Sequence, residues 1–463
     1  MSIAIIGAGI TGLTLALELT KKGHAVRVFE ASSQVGGVIQ THEEKGWKVE
    51  CGPNSILESS KRITALVRDL DLSAEVTYTA RAAEKRYVVR KGEPALVPGS
   101  ALQFLKSNLL SNKSKFKILK EPFVKPLPGD EEENLADFIR RRLGEEVLDY
   151  FVYPFVGGIY SGDPEKLSVK YAFKRFYSME KKYGSIILGQ FKAAGERADH
   201  EIAKNKALSF SFKNGLGTLP EALHRKLGEA VKVNARVVSV AGKEGSFEVL
   251  TESSGIETRS HHRAVVYSGP AHSLDKLNFR LRGSAAMTDL SEIPYPPVLS
   301  VALGFRRRQV DHPLDGFGIL IPQKEDFSIL GVQFNSTVFP DRTPDADHVL
   351  LTTFVGGTRH PELTGLSDAR VTEIIMRDLE LLLGIKGNPA FIRHTRWANA
   401  IPQYEVGYGK FLDLMESVEK ENPGFYFAGN YRTGIAVGDC ISSSVDLAER
   451  ITQDFPAEIK NRI

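Results

Sequence analysis

The chain opens on Ile3-Ala4-Ile5-Ile6, a continuous, mostly β-branched apolar run that reads as a buried parallel strand. Gly7-Ala8-Gly9-Ile10-Thr11-Gly12 follows, and a helical pattern carrying Leu13, Leu15, Leu17 and Leu19 ends at Lys21-Lys22-Gly23, cations before a glycine. A second strand, Ala25 to Phe29, finishes at Glu30. Near the other end, Phe425-Tyr426-Phe427-Ala428-Gly429-Asn430 is another apolar strand. Gly434-Ile435-Ala436-Val437-Gly438-Asp439-Cys440 then makes a glycine turn into a helix start with an acid beside it. Between these ends the pattern predicts a helix over Leu219–Lys226 and strands over Val231–Val240, Ser246–Thr251 and Ala264–Tyr267. Further strands are expected near Val298–Phe305, Phe317–Ile321, Ser328–Phe334 and His348–Val355.

These elements predict an α/β chain with α+β insertions. A discontinuous Rossmann-like domain is expected from residues 1–80, 213–270 and 397–463. Residues 81–212 form a mainly helical insertion and 271–396 a sheet-rich one. A length of 463 residues suits several structural regions better than one core.

The first unit carries chemistry. Gly7 permits the tight turn, Gly9 lets backbone approach a pyrophosphate, and Gly12 lets helix and strand pack closely. The helix start offers unpaired N–H groups to phosphate oxygens, and Glu30 stands where a ribose diol would be held. NAD and FAD share this unit. Ala31-Ser32-Ser33-Gln34-Val35-Gly36-Gly37-Val38 comes next, then Gly52-Pro53-Asn54-Ser55. A glycine pair at that distance from the ribose acid resembles the flavin amine oxidase superfamily, as does the C-terminal glycine turn with Asp439. FAD is therefore the expected cofactor.

Composition narrows the rest. A formal net charge of +3 gives no strong pull toward nucleic acid. No run of about 18 uncharged apolar residues offers a transmembrane helix, and the first residues lack a secretion signal, so a cytoplasmic location is expected. The two cysteines, Cys51 and Cys440, make no disulfide framework. No cluster of His and Cys suggests a metal, and His261-His262 reads as a solvated pair in a turn. Residues 81–125 are rich in cations, among them Arg81, Lys85, Arg86, Arg90, Lys91, Lys106, Lys113, Lys115, Lys117, Lys120 and Lys125. Leu102, Phe104, Leu105, Leu109 and Leu110 lie beside them. That mixture fits either a peripheral membrane segment on the inner face of the cell membrane or a solvated face over a core stripe.

More specific segments follow in order: Gly158-Ile159-Tyr160-Ser161-Gly162-Asp163 with Leu167-Ser168, and Gly316-Phe317-Gly318-Ile319-Leu320-Ile321-Pro322. Leu330-Gly331, Phe339-Pro340, Gly356-Gly357 and Ile401-Pro402-Gln403-Tyr404 complete the set. With them, nearly the whole chain resembles the oxygen-dependent protoporphyrinogen and coproporphyrinogen oxidases. The resemblance implies FAD contacts at Gly7, Ala8, Gly9, Ile10, Thr11, Gly12, Glu30, Ala31, Gly37, Val38, Gly52, Pro53, Asn54, Ser55, Val237, Trp397, Gly429, Ile435, Ala436, Val437 and Asp439. It places Phe317, Leu320, Gln333, Phe354 and Asn54 around a porphyrinogen substrate. Apolar and aromatic walls suit a flat tetrapyrrole.

The implied reaction turns protoporphyrinogen IX into protoporphyrin IX for haem synthesis. Hydride passes from a bridging methylene to flavin N5, and O2 leaves as hydrogen peroxide. No side chain acts as nucleophile. The resemblance also allows a homodimer. Coproporphyrinogen III is an alternative substrate, a flavin amine oxidase or carotenoid-type desaturase an alternative activity, and a cofactor-free escort protein an alternative class. One departure stands out. Eukaryotic relatives tend to carry arginine in the Gly-Pro-x loop where this chain has Asn54, and Val97-Pro98-Gly99-Ser100-Ala101-Leu102 also lacks one. Any cation for the substrate's propionates must come from elsewhere.

Overall fold

The structure, a computed structural model, describes residues 2–99, 101–129, 131–192, 201–202, 207–243 and 245–456. Ser100, residues 193–200 and 203–206 of the expected helical insertion, and the final stretch 457–463 lie outside the described residues.

Ser2–Ile6 pairs in parallel with Val26–Phe29 on one side and with the end of Ile256–Tyr267 on the other. Phe425–Phe427 adds in parallel to that same strand, so the two chain ends share one eight-stranded sheet. Alternation sets its faces. Ile3, Ile5, Val28 and Val266 pack under the helices Ile10–Lys21 and Val437–Asp454, while Ala4, Ile6, Val265 and Phe425 enter a second core with Tyr404, Tyr408 and Met415. The two helices also touch through Ser444, whose hydroxyl donates to the Thr11 carbonyl at 3.0 Å.

Two expectations for this sheet need correcting. Val231–Val240 is not one strand but two, Val231–Lys232 and Arg236–Lys243, because Asn234 takes a left-handed turn. His261 and His262 are not in a turn; they lie within the twelve-residue strand Ile256–Tyr267, and His262 is buried against Ser2 and Ser260. The turn falls earlier, at Ser254-Gly255, where both residues have positive φ.

A second sheet has seven strands in the order Phe391–Trp397, Val298–Arg306, His348–Gly356, Gly331–Gln333, Gly318–Leu320, Tyr87–Arg90 and Glu93–Leu96. Its last two strands come from the stretch expected to be helical. Lys91 and Gly92 explain them: φ is +56° and +81°, the two-residue turn that matches strand twist and closes a hairpin. Leu299, Val301, Leu303, Ile319, Val332 and Val355 bury one face under the helix Asp368–Leu383. The opposite face carries Ala302 and Leu350, which meet Trp47 from the hairpin Thr41–Glu44/Trp47–Glu50. Trp47 stacks on Phe391 with centroids 5.4 Å apart, and any side chain at Gly304 would run into its ring.

The helical region joins Leu135–Arg142, Lys174–Tyr183 and Ile186–Lys192 around a fully buried ionic group, and Tyr153–Ile159 shares their apolar core through Val156. Arg142 holds Glu121 and Glu180, and Glu121 accepts the Ile186 and Ile187 N–H groups at the start of the last helix.

A glycine cradle facing an apolar sheet

The nucleotide turn is shaped by what its glycines exclude. Gly7 has φ +105°, and a Cβ on Gly12 would strike the Gly7 carbonyl oxygen. A Cβ on Gly9, by contrast, would meet nothing within 4 Å, so open space lies in front of it. Ile10, Thr11 and Gly12 begin a helix whose start has no side-chain cap and no acid in its first turn. Its leading N–H groups are left to an external acceptor. Glu30 does more than the sequence suggested: it accepts the Ala8 N–H at 2.8 Å and the Ser32 N–H at 2.9 Å, tying the strand end to the turn. Val237 is buried on the strand beside it, where the Ala235 N–H donates to the Glu30 carbonyl at 2.8 Å.

The walls of the cradle follow. The Gly36 N–H donates to the Ala8 carbonyl at 2.8 Å, and Gly37 turns with φ +58° beside Gly9. Ala31 is exposed, and Val38, just after the Gly36-Gly37 pair, is 44% exposed. Gly52 presses against the Val38 carbonyl so closely that no Cβ would fit, which places Pro53, Asn54 and Ser55, all half-buried, next in line. At the C-terminal end Gly429 has φ +133°, Ile435 packs on the second core, and Asp439 lies over Gly434. Ala436 and Val437 start a helix that, like the first, has no side-chain cap. Two uncapped helix starts, an open glycine turn and an exposed Val38 fit an elongated dinucleotide such as FAD.

The sheet meets this cradle at Trp397, whose indole N–H donates to the Cys51 carbonyl at 2.8 Å. Register then decides which residues share its face. Leu320 opposes Gly331, and Gly331 opposes Phe354; Gln333 stands two residues on, opposite Gly318 and Thr352. Strand alternation therefore brings Leu320, Gln333 and Phe354 to the side that carries Trp397. Helix Tyr153–Ile159 closes on them: Gly158 leaves room for the tip of Leu320 and for nothing larger. Tyr160 follows, its phenol pushed up to about 12 by burial, and its carbonyl accepts from the Gln403 amide at 2.9 Å. Asn54 reaches the same side, accepting from Asn335 at 3.0 Å.

Phe317 is not with them. It lies at the strand's start with the opposite parity, packed on Ala83, Val338 and Phe339. The Arg86 guanidinium covers its ring at 4.4 Å. Arg86 was read only as one cation of a basic run. In the structure its Nη1 donates to the Ala83 carbonyl at 2.6 Å, no carboxylate among the described residues pairs with it, and burial pulls its pKa below the usual arginine value. The short apolar run Tyr87-Val88-Val89, rich in β-branched residues, was the available signal for a strand there. Asn335 was also missed, because nothing local distinguishes it from a loop asparagine.

The profile of flavin containing amine oxidoreductases matches residues 10–452. Protoporphyrinogen oxidase 2, chloroplastic/mitochondrial, of Arabidopsis thaliana is 34% identical, over 97% of this chain and 93% of that protein. Coproporphyrinogen III oxidase of Bacillus subtilis is 29% identical, over 95% of each. Among solved structures, putrescine oxidase bound to putrescine superposes with a TM-score of 0.72 at 17% identity, covering 98% of this chain and 99% of that one, a likeness of fold. With the glycine cradle, these matches place the chain in the flavin containing amine oxidoreductase family, with FAD as its cofactor.

Proposed function

We propose that the chain oxidises a porphyrinogen, protoporphyrinogen IX to protoporphyrin IX, with O2 as the electron acceptor and hydrogen peroxide as the second product. The carrying observation is the apolar face of Leu320 and Phe354, set against the Asn54 loop and closed by Gly158. The turns at Gly7–Gly12 and Gly434–Asp439 would hold FAD, which would supply the hydride-accepting and O2-reducing chemistry. The chain's own residues orient and enclose. Leu320 and Phe354 bury the flat faces of a macrocycle without demanding hydrogen bonds. The relatives named protoporphyrinogen oxidase support this reading over most of the chain.

Coproporphyrinogen III is the second reading, favoured by full-length relatives of that name in Bacillus subtilis and Staphylococcus aureus. The ring is shared and only the acid arms differ. Turnover of the FAD-loaded enzyme with each porphyrinogen, followed by porphyrin fluorescence, separates them. The first reading expects a higher kcat/KM with protoporphyrinogen IX, and the reverse order would replace it.

The proposal extends to the cell: a cytoplasmic protein resting on the inner face of the membrane through residues 81–125. Helix Asn112–Leu119 and the turn Glu121–Phe123 leave Phe116, Leu119 and Phe123 exposed, Phe123 by 85%, among Lys113, Lys117, Lys120 and Lys125. Apolar side chains ringed by cations suit an anionic lipid surface.

A further inference from the structure

Asn54 has an amide whose two ends look alike in shape, so its partners decide which way it faces. The Gly52 carbonyl can only accept, and the Asn54 Nδ2 donates to it at 3.3 Å. The Asn54 Oδ1 must then point the other way, toward Asn335, whose Nδ2 donates at 3.0 Å. Asn335 is buried, 5% exposed, so water does not readily take its place. It stands just after the strand Gly331–Gln333, whereas Asn54 belongs to the loop beside the flavin cradle. The same loop is held from the far edge of the sheet by Trp397 on the Cys51 carbonyl. Trp397 grips backbone; Asn335 grips a side chain. With its oxygen engaged and one N–H spent on Gly52, Asn54 has one N–H left for a ligand.

We propose that Asn335 is a positioning residue: by donating to Asn54 it fixes that amide as a hydrogen-bond donor toward the substrate. Acting through Asn54, it keeps the loop and the Leu320–Phe354 face in register. The inference rests on the porphyrinogen reading for its kinetic readout.

The test is a double-mutant cycle in FAD-loaded protein, with protoporphyrinogen IX as the varied substrate. Asn335→Ala, Asn54→Ala and the double variant are compared for KM, kcat, flavin absorption and melting temperature. One neutral hydrogen bond corresponds to a KM increase of about three- to tenfold in each single variant, with kcat nearly unchanged. The double variant should be no worse than Asn54→Ala alone, since the second change removes nothing further. Asn335→Asp should also raise KM, because a carboxylate facing the Asn54 oxygen forces the amide to turn. Multiplying effects in the double variant, or wild-type KM in Asn335→Asp, would overturn the proposal and leave the porphyrinogen reading standing. Wild-type protein that turns over no porphyrinogen sinks that reading instead. The cycle read in melting temperature and flavin absorption then decides the link, and additive changes there overturn it.

Discussion

Gly9 and Gly12 lie three positions apart but face different surroundings. A Cβ on Gly12 would collide with the Gly7 carbonyl, whereas one on Gly9 would enter empty space. Gly9→Val should therefore fold with a near-normal melting temperature yet purify colourless, its side chain occupying the pyrophosphate's place. Normal flavin absorbance in that variant would remove the turn from the cofactor site. His262 makes a different prediction. Burial pushes its pKa down to about 4, so the folded state resists its protonation. The corresponding stability is complete above pH 6.5 and fades as pH falls toward 4, by up to about 3 kcal/mol. His262→Gln should flatten that part of the stability–pH curve, and an unchanged slope would contradict it. The sequence made Gly7, Gly9, Gly12 and Glu30 legible because their spacing alone implies a job. Leu320, Gln333 and Phe354 were legible only through a family resemblance, since their register is set by three separate strands. Phe317 shows the limit: a shift of one residue parity moves a side chain to the other side of a sheet.

Elements were read well where periodicity was long and poorly where a turn did the work. The paired chain ends, the strand His348–Gly356 and the helix Thr218–Leu227 all appeared near their expected bounds. The hairpins closed by Lys45-Gly46 and Lys91-Gly92 did not, because a lysine at positive φ is a weak signal beside Asn or Asp. That omission also hid Arg86, which sits one residue before the second hairpin. Within the helical region, Arg142 is wholly buried between Glu121 and Glu180. Arg142→Ala leaves Glu121 buried with no cation, while Glu180 keeps Arg141, and should cost about 3 kcal/mol in urea unfolding, with FAD content unchanged. A loss below about 1 kcal/mol would mean the group is more solvated than it stands here.

At the scale of the whole molecule, the first and last strands share a sheet, so the cofactor site closes only when the chain is complete through Asp439. The insertion between them presents the basic, apolar surface around Phe123. Replacing Phe116 and Phe123 by serine should abolish sedimentation with phosphatidylserine vesicles at low salt while leaving turnover in detergent intact. Equal sedimentation of the variant would remove that surface from the account. The most direct test of the central claim is anaerobic mixing of the purified, yellow protein with protoporphyrinogen IX. The account expects the flavin band to bleach as porphyrin fluorescence rises, and the colour to return on admitting air. A flavin band that persists with excess porphyrinogen, or protein that stays colourless after incubation with FAD, would contradict it.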